Sequence, residues 1–129
     1  MPYYLDTSGF LKLIVAEAES AALRTWLAAD DRDCWSSQLL LTESLRAANR
    51  LGLDQALIVN ALDLVSLVLP AATTFHAAAT LEPKRLRSLD ALHLATALEI
   101  GPDLQGVVTY DERLTEAAQL AGLTVIAPA

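Results

Sequence analysis

Residues 106–114 read Gly106-Val107-Val108-Thr109-Tyr110-Asp111-Glu112-Arg113-Leu114. The β-branched run ending at Thr109 fits a short buried strand over 106–109, and the polar turn after it leads into a helix over 112–121. Thr109 and Glu112 stand at capping-box spacing, so the helix start is expected to be satisfied by them, leaving Asp111 spare. The same order of strand, acid and helix opens the chain. Tyr3-Tyr4-Leu5 precedes Asp6, which at a strand end before a helix over 7–15 is either its N-cap or, if Thr7 or Ser8 caps instead, free to point into a cleft.

Outward from these two units the pattern repeats. Helices are expected over 17–29, 38–51, 54–66, 73–81 and 88–100, the second of these ended by Gly52, the last capped by Ser88 and stopped by Gly101. Short strands are expected over 33–36, 67–69 and 124–126. Apolar strands alternating with helices favour a parallel sheet covered on both faces, an α/β architecture. In such sheets ligands sit beyond the carboxyl ends of the strands, where strand order reverses. Asp6 and Asp111 occupy that kind of position.

The chain has 129 residues, the size of one domain, in which folding buries roughly two thirds of the unfolded surface. No repeat, low-complexity tract or Ser/Gly linker divides it, so residues 1–129 are read as a single domain. Apolar residues make up 53% and mean hydropathy is +0.36, high for a small monomer, so part of the surface is expected to meet a partner. No apolar run approaches the roughly 18 residues that span a bilayer, and the N-terminus lacks a basic, then apolar, leader. The reading is a cytoplasmic protein with no membrane partner. Cys34 is a lone thiol, expected to pack as a small hydrophobe. The net charge of -7 argues against a general nucleic-acid coat, unless some of the sixteen acids hold a cation that reverses the local sign.

Two further acids join Asp6 and Asp111. Glu43 lies in a helix apolar nearly all round, with Leu39, Leu40, Arg46 and Ala47 as neighbours at helical spacing. It therefore needs either a cation or an ion pair with Arg46 or Arg50. Asp90 sits in the first turn of the 88–100 helix, where the helix dipole alone favours an acid. Each has a structural explanation, but four acids facing inward share a need for positive charge. Oxygen donors with little His and no Cys suit Mg²⁺ or Mn²⁺. His93, one turn after Asp90, is read as a packed core histidine outside the metal shell, and His76 as structural or exposed.

In combination, Tyr-Leu-Asp6-Thr-Ser, Thr42-Glu43, Leu-Asp90-Ala-Leu-His-Leu-Ala-Thr-Ala and Val-Val-Thr109-Tyr-Asp111-Glu-Arg-Leu resemble a PIN domain, and within that superfamily the VapC toxins. The resemblance spans the chain. It implies a three-layer sandwich around a five-stranded parallel sheet in the order 3-2-1-4-5. It implies that Asp6, Glu43, Asp90 and Asp111 are the catalytic, metal-binding quartet, with Thr7, Ser8 and Thr109 as helpers. The activity implied is that of an endoribonuclease dependent on Mg²⁺ or Mn²⁺, leaving 3′-hydroxyl and 5′-phosphate ends. As the toxin of a pair, it would inhibit translation until neutralised. The acidic pattern is intact, so activity is expected.

Lys84, Arg85 and Arg87 before Asp90, and Arg113 after Asp111, either grip RNA phosphates or merely solvate their loops. The resemblance also implies a small VapB-like antitoxin and a homodimer. Phe10, Leu11, Leu13, Ile14, Trp26 and Leu27 are the candidate groove for an antitoxin helix, unless they serve the protein's own core. The alternative is a catalytically silent PIN-like module that binds RNA or antitoxin. A receiver-like module fits poorly, because Asp6 stands alone and no lysine follows Lys84; an RNase H-type nuclease should open with several adjacent strands.

Overall fold

Strand β1 (Pro2–Leu5) alternates its side chains across the sheet: Tyr4 packs with Ala97 and Val107, whereas Leu5 packs with Leu23 and Val108. Both strand faces are thus buried. The computed structural model describes residues 1–129. The chain continues through α1 (Thr7–Leu11), α2 (Ser20–Ala29), β2 (Asp33–Ser37), α3 (Leu39–Leu51), α4 (Gln55–Leu62), β3 (Ser66–Val68) and α5 (Ala72–Ala78). It ends with α6 (Ser88–Ile100), a 3₁₀ turn (Gly101–Asp103), β4 (Gly106–Val108), α7 (Glu112–Leu120) and β5 (Val125–Ile126). All strand pairings are parallel and the order is β3-β2-β1-β4-β5, the α/β sandwich expected from the sequence.

One layer is built from α1 to α4. Phe10, Leu40, Ala48, Ile58 and Val65 form its centre, and Leu5, Leu23 and Val108 extend it. The opposite layer, α5 to α7, centres on Leu94, Leu114, Ala117 and Ala118. Gly52 ends α3 in the left-handed conformation (φ 69°), donating its N–H to Ala48 O. Strand order reverses between β1 and β4, so the carboxyl ends of these strands open a cleft at the middle of one sheet edge.

Several boundaries differ from expectation. α1 stops at Leu11 because Leu13 N and Ile14 N bond the carbonyls three residues back, and Lys12 turns away to Glu17 and Glu19 (3.0 and 2.9 Å). α2 starts at Ser20, not 17, because Ser20 Oγ accepts from Glu17 N and donates to Val15 O, folding residues 15–20 into a loop. α4 ends at Leu62, where Asp63, Leu64 and Val65 also bond three residues back. β3 begins one residue early, at Ser66, and α5 also begins one residue early, at Ala72, but ends at Ala78, short of Leu81. No helix is long and apolar enough to cross a membrane.

Candidate active site

Asp6 follows β1 directly, and its backbone N–H donates to Val108 O of β4 (3.3 Å), so both central strands fix it. It is 3% exposed. Its carboxylate is itself the N-cap of α1, contrary to the expectation that Thr7 or Ser8 would take that role. Oδ1 accepts from Gly9 N (2.8 Å) and Ser8 Oγ (2.7 Å), and Oδ2 from Thr109 Oγ1 (2.6 Å). Ser8 therefore supports the carboxylate, and also accepts from Tyr110 N (3.0 Å). The approach of α1 to β4 requires glycine at position 9, since a Cβ there would lie 2.8 Å from Val108 O. Burial pushes the Asp6 carboxyl above its ordinary range, and the bonds from Thr109, Gly9 and Ser8 pull it back.

Asp111 is likewise not spare. It is the N-cap of α7, accepting from Leu114 N at Oδ1 (2.9 Å). The expected capping box of Thr109 and Glu112 does not form, because Thr109 Oγ1 is spent on Asp6 and on accepting from Asp111 N (3.1 Å). Thr109, fully buried at the end of β4, thus couples the two acids.

Asp90 is the third residue of α6 and half-buried. Arg87 is the N-cap residue and makes no side-chain cap; Ser88 is already helical, so it does not cap as expected. Burial raises the Asp90 carboxyl most, followed by the charges of Asp111 and Asp6; Glu43 adds to the rise and His93 opposes it. Asp90 thus feels the charge of each of the other three acids. The four do not converge further: no three Asp, Glu, His or Cys side chains are gathered closely enough to hold one ion.

Glu43 pairs with neither Arg46 nor Arg50. Its Oε1 accepts from His93 Nε2 (2.6 Å), and His93 Nδ1 lies 2.6 Å from the Tyr4 hydroxyl. An ionised Glu43 only accepts, so Nε2 carries the proton; in the neutral ring Nδ1 is then bare and takes the Tyr4 O–H. Burial holds the Tyr4 phenol far above its ordinary range, which keeps that proton in place. Thr7 Oγ1 lies 3.4 Å from the same Nε2. His93 is therefore the side chain that holds Glu43, a role missed in the sequence; its spacing of three from Asp90 was the available signal.

The basic residues stand apart from this arrangement. Lys84, Arg85, Arg87 and Arg113 are exposed, and Arg85 is engaged by Glu116 of α7. Lys84 lines a separate groove of about 640 Å³ with Phe75, Ala78, Leu81 and Leu92. Of the expected antitoxin groove, Phe10 is fully buried in the chain's own core, and Leu11 and Ile14 pack against it. Trp26 meets Tyr3 edge-on and stacks under Arg32. Leu13, Trp26 and Leu27 pack, partly buried, against the Leu5, Leu23 and Val108 cluster, so of the six only Phe10 is wholly taken up by the chain's own core.

In donor chemistry, though not in convergence on one point, the four acids suit a hard divalent cation. The donors are carboxylate oxygens, and Asp6 is a buried carboxylate whose ionised form a cation would stabilise.

The PIN domain family model matches residues 3–120. Two relatives from Mycobacterium tuberculosis align over 133 residues, covering 97% of this chain and 96% of each relative: Ribonuclease VapC35, 44% identical, and Ribonuclease VapC47, 37% identical. Among solved structures, Mycobacterium tuberculosis VapC20, described as a Sarcin-Ricin loop cleaving toxin, superposes with a TM-score of 0.75 at 19% identity, over 98% of this chain and 99% of its own. A toxin-antitoxin complex from Klebsiella pneumoniae gives 0.70 at 21% identity, over 98% of both chains. The structural likenesses carry the fold, and the two relatives carry the kinship: this chain belongs to the PIN-domain family, in its VapC ribonuclease branch.

Proposed function

We propose that this protein is a divalent-metal-dependent endoribonuclease, the toxin of a toxin-antitoxin pair, and that Asp6, Glu43, Asp90 and Asp111 hold Mg²⁺ or Mn²⁺. The observation that carries the reading is Asp6: a buried carboxylate at the end of β1, held by Ser8, Gly9 and Thr109, whose charge acts on Asp90 together with those of Asp111 and Glu43. Burying a carboxylate is costly even when it caps a helix and accepts three hydrogen bonds, and a bound cation would offset what remains of that cost.

When bound, a divalent cation supplies positive charge against the phosphate and makes a water easier to deprotonate. The chain's own residues do the positioning. Thr109 and Ser8 fix both oxygens of Asp6, Thr109 also holds the backbone of Asp111, and the Tyr4–His93 pair fixes Glu43. In the hydrolysis proposed, water oxygen forms the new bond to phosphorus, the bond from phosphorus to O3′ breaks, and O3′ takes up a proton. Thr7 completes the wall between α1 and His93. Arg87, just before α6, and Arg113, in the first turn of α7, would add positive field for RNA, with Lys84 farther out.

The remaining assignments share this basis. Residues 1–129 act as one PIN domain in the cytoplasm, as a homodimer, neutralised by a VapB-like antitoxin. The test is cleavage of total bacterial RNA by purified, antitoxin-free protein with Mg²⁺ or Mn²⁺, beside EDTA and Asp6→Asn controls. Cutting that both controls abolish supports the reading. Equal inertness of wild type and variant across metals and RNAs overturns it in favour of a silent binding module.

A further inference from the structure

Beside the acids runs a groove of about 320 Å³, walled by Thr7 and Leu11 of α1 and by Glu43, Arg46 and Arg50 of α3, with Leu89 of α6 closing it. Residues 43, 46 and 50 fall at i, i+3 and i+7, one face of α3. Arg46 and Arg50 are exposed and bear no ion pair: the cations so engaged in this chain are Lys12, Arg32, Arg85 and His93. Neither donates a side-chain hydrogen bond. The neighbour expected to neutralise Arg46 is Glu43, but its Oε1 is committed to His93. Two free guanidinium groups on one groove face are conspicuous in a chain of net charge -7 with nine Lys and Arg in all.

We propose that Arg46 and Arg50 form a phosphate-binding subsite that takes two successive phosphates of the RNA strand next to the scissile bond. This deepens the nuclease reading and rests on it. The groove follows α3 from Leu39 past Glu43 to Arg50, so a strand leaving the acidic centre toward the C-terminal end of the helix passes Arg46 first and Arg50 next. The two arginines are one turn apart, about 6 Å along the helix axis, a separation comparable with that of neighbouring phosphates. The planar fork of each guanidinium matches a phosphate in a bidentate pair. Leu11 and Leu89 give the walls apolar surface against which an unstacked base can lie, which favours single-stranded RNA.

The subsite is tested by anisotropy titrations of a fluorescein-labelled single-stranded RNA oligonucleotide across a NaCl series, with Mg²⁺ present. The protein carries Asp6→Asn so that the oligonucleotide survives. Arg46→Ala and Arg50→Ala are each expected to weaken binding about tenfold at low salt. Each should also reduce the slope of log K against log salt by about 0.7. Arg46→Lys and Arg50→Lys keep the slope while weakening binding, and Arg24→Ala on α2, a control for net charge, changes neither. Circular dichroism melts verify the fold of every variant. Unchanged slopes in both alanine variants, or no RNA binding at any salt, overturn the subsite. A parallel cleavage assay of the wild-type protein keeps the two questions apart: wild type that cuts while the slopes stay unchanged defeats the subsite alone.

Discussion

Replacing Thr109 with Val swaps a hydroxyl for a methyl group of nearly the same shape, so the substitution removes hydrogen bonds without opening a cavity. Thr109 is fully buried, and its Oγ1 donates to Asp6 Oδ2 at 2.6 Å and accepts from Asp111 N at 3.1 Å. The first bond is to a charged group, worth about 1.5–3 kcal/mol, and losing the second leaves a partly buried N–H unpaired. Asp6 keeps Ser8 and Gly9, which limits the damage, so the net loss should be about 2–4 kcal/mol. That is a substantial part of the 5–15 kcal/mol by which domains are typically stable. In a chain of this length it should lower Tm by about 10 °C. Urea and thermal unfolding of the metal-free protein read the effect, with Thr109→Ser as the partner variant. Serine keeps the hydroxyl and should recover most of the loss, and RNA cleavage should follow the same order. A Thr109→Val protein within about 0.5 kcal/mol of wild type, or a serine variant as unstable as the valine one, would refute the coupling of Asp6 to Asp111.

Further outcomes follow from the same geometry. Asp6 and Asp90 both have carboxyls raised above the ordinary value of 3.8, so their contribution to stability is fully present below that value and is lost as pH rises through their folded values. Bound cation should offset the loss: Mn²⁺ at a hundred times its Kd should stabilise the protein by about 2.7 kcal/mol at pH 7.5, and the gain should fade at acid pH as these acids protonate. A Tm increment from Mn²⁺ that is independent of pH would contradict this. His93→Leu strips Glu43 of its donor and orphans the buried Tyr4 hydroxyl, and should cut Mn²⁺ affinity by about 10–100-fold in a calorimetric titration. His93→Gln, which retains an N–H near the Nε2 position, should restore part of it; equal affinities in both variants would remove the positioning role. Gly9→Ala places a Cβ 2.8 Å from Val108 O and must push α1 off β4. It should destabilise by about 1–3 kcal/mol in urea unfolding, and an unaffected variant would show that this contact is not restrictive.

The strand and helix order was legible because each unit is local: a short strand, a turn, then a helix, with an acid at the turn after β1 and β4. The positions of Asp6 and Asp111 at strand ends followed from that order alone. What the two carboxylates do locally did not follow, because Ser8, Thr109 and Glu112 are all competent caps and only the close approach of α1 to β4 decides among them. The end of α1 was hidden for a related reason: Lys12 is a good helix former, and its ion pairs with Glu17 and Glu19 belong to a loop whose shape Ser20 sets. Glu43 was legible as needing a partner, but helical spacing pointed to Arg46 and Arg50. Its partner instead comes from α6 across the core, fifty residues away in sequence. Long-range pairing of this kind leaves no periodic trace, and it is also what leaves the two arginines free along the groove.

The central claim is that four carboxylates act together on one phosphodiester. Single-turnover cleavage of one defined RNA, with Mn²⁺ saturating, should be compared among wild type, Asp6→Asn, Glu43→Gln, Asp90→Asn and Asp111→Asn, each confirmed folded. The account predicts that every variant falls by about a hundredfold or more, because each removes charge needed to hold the cation that neutralises the reacting phosphate. A folded variant at any of the four positions that cleaves at close to the wild-type rate would contradict it.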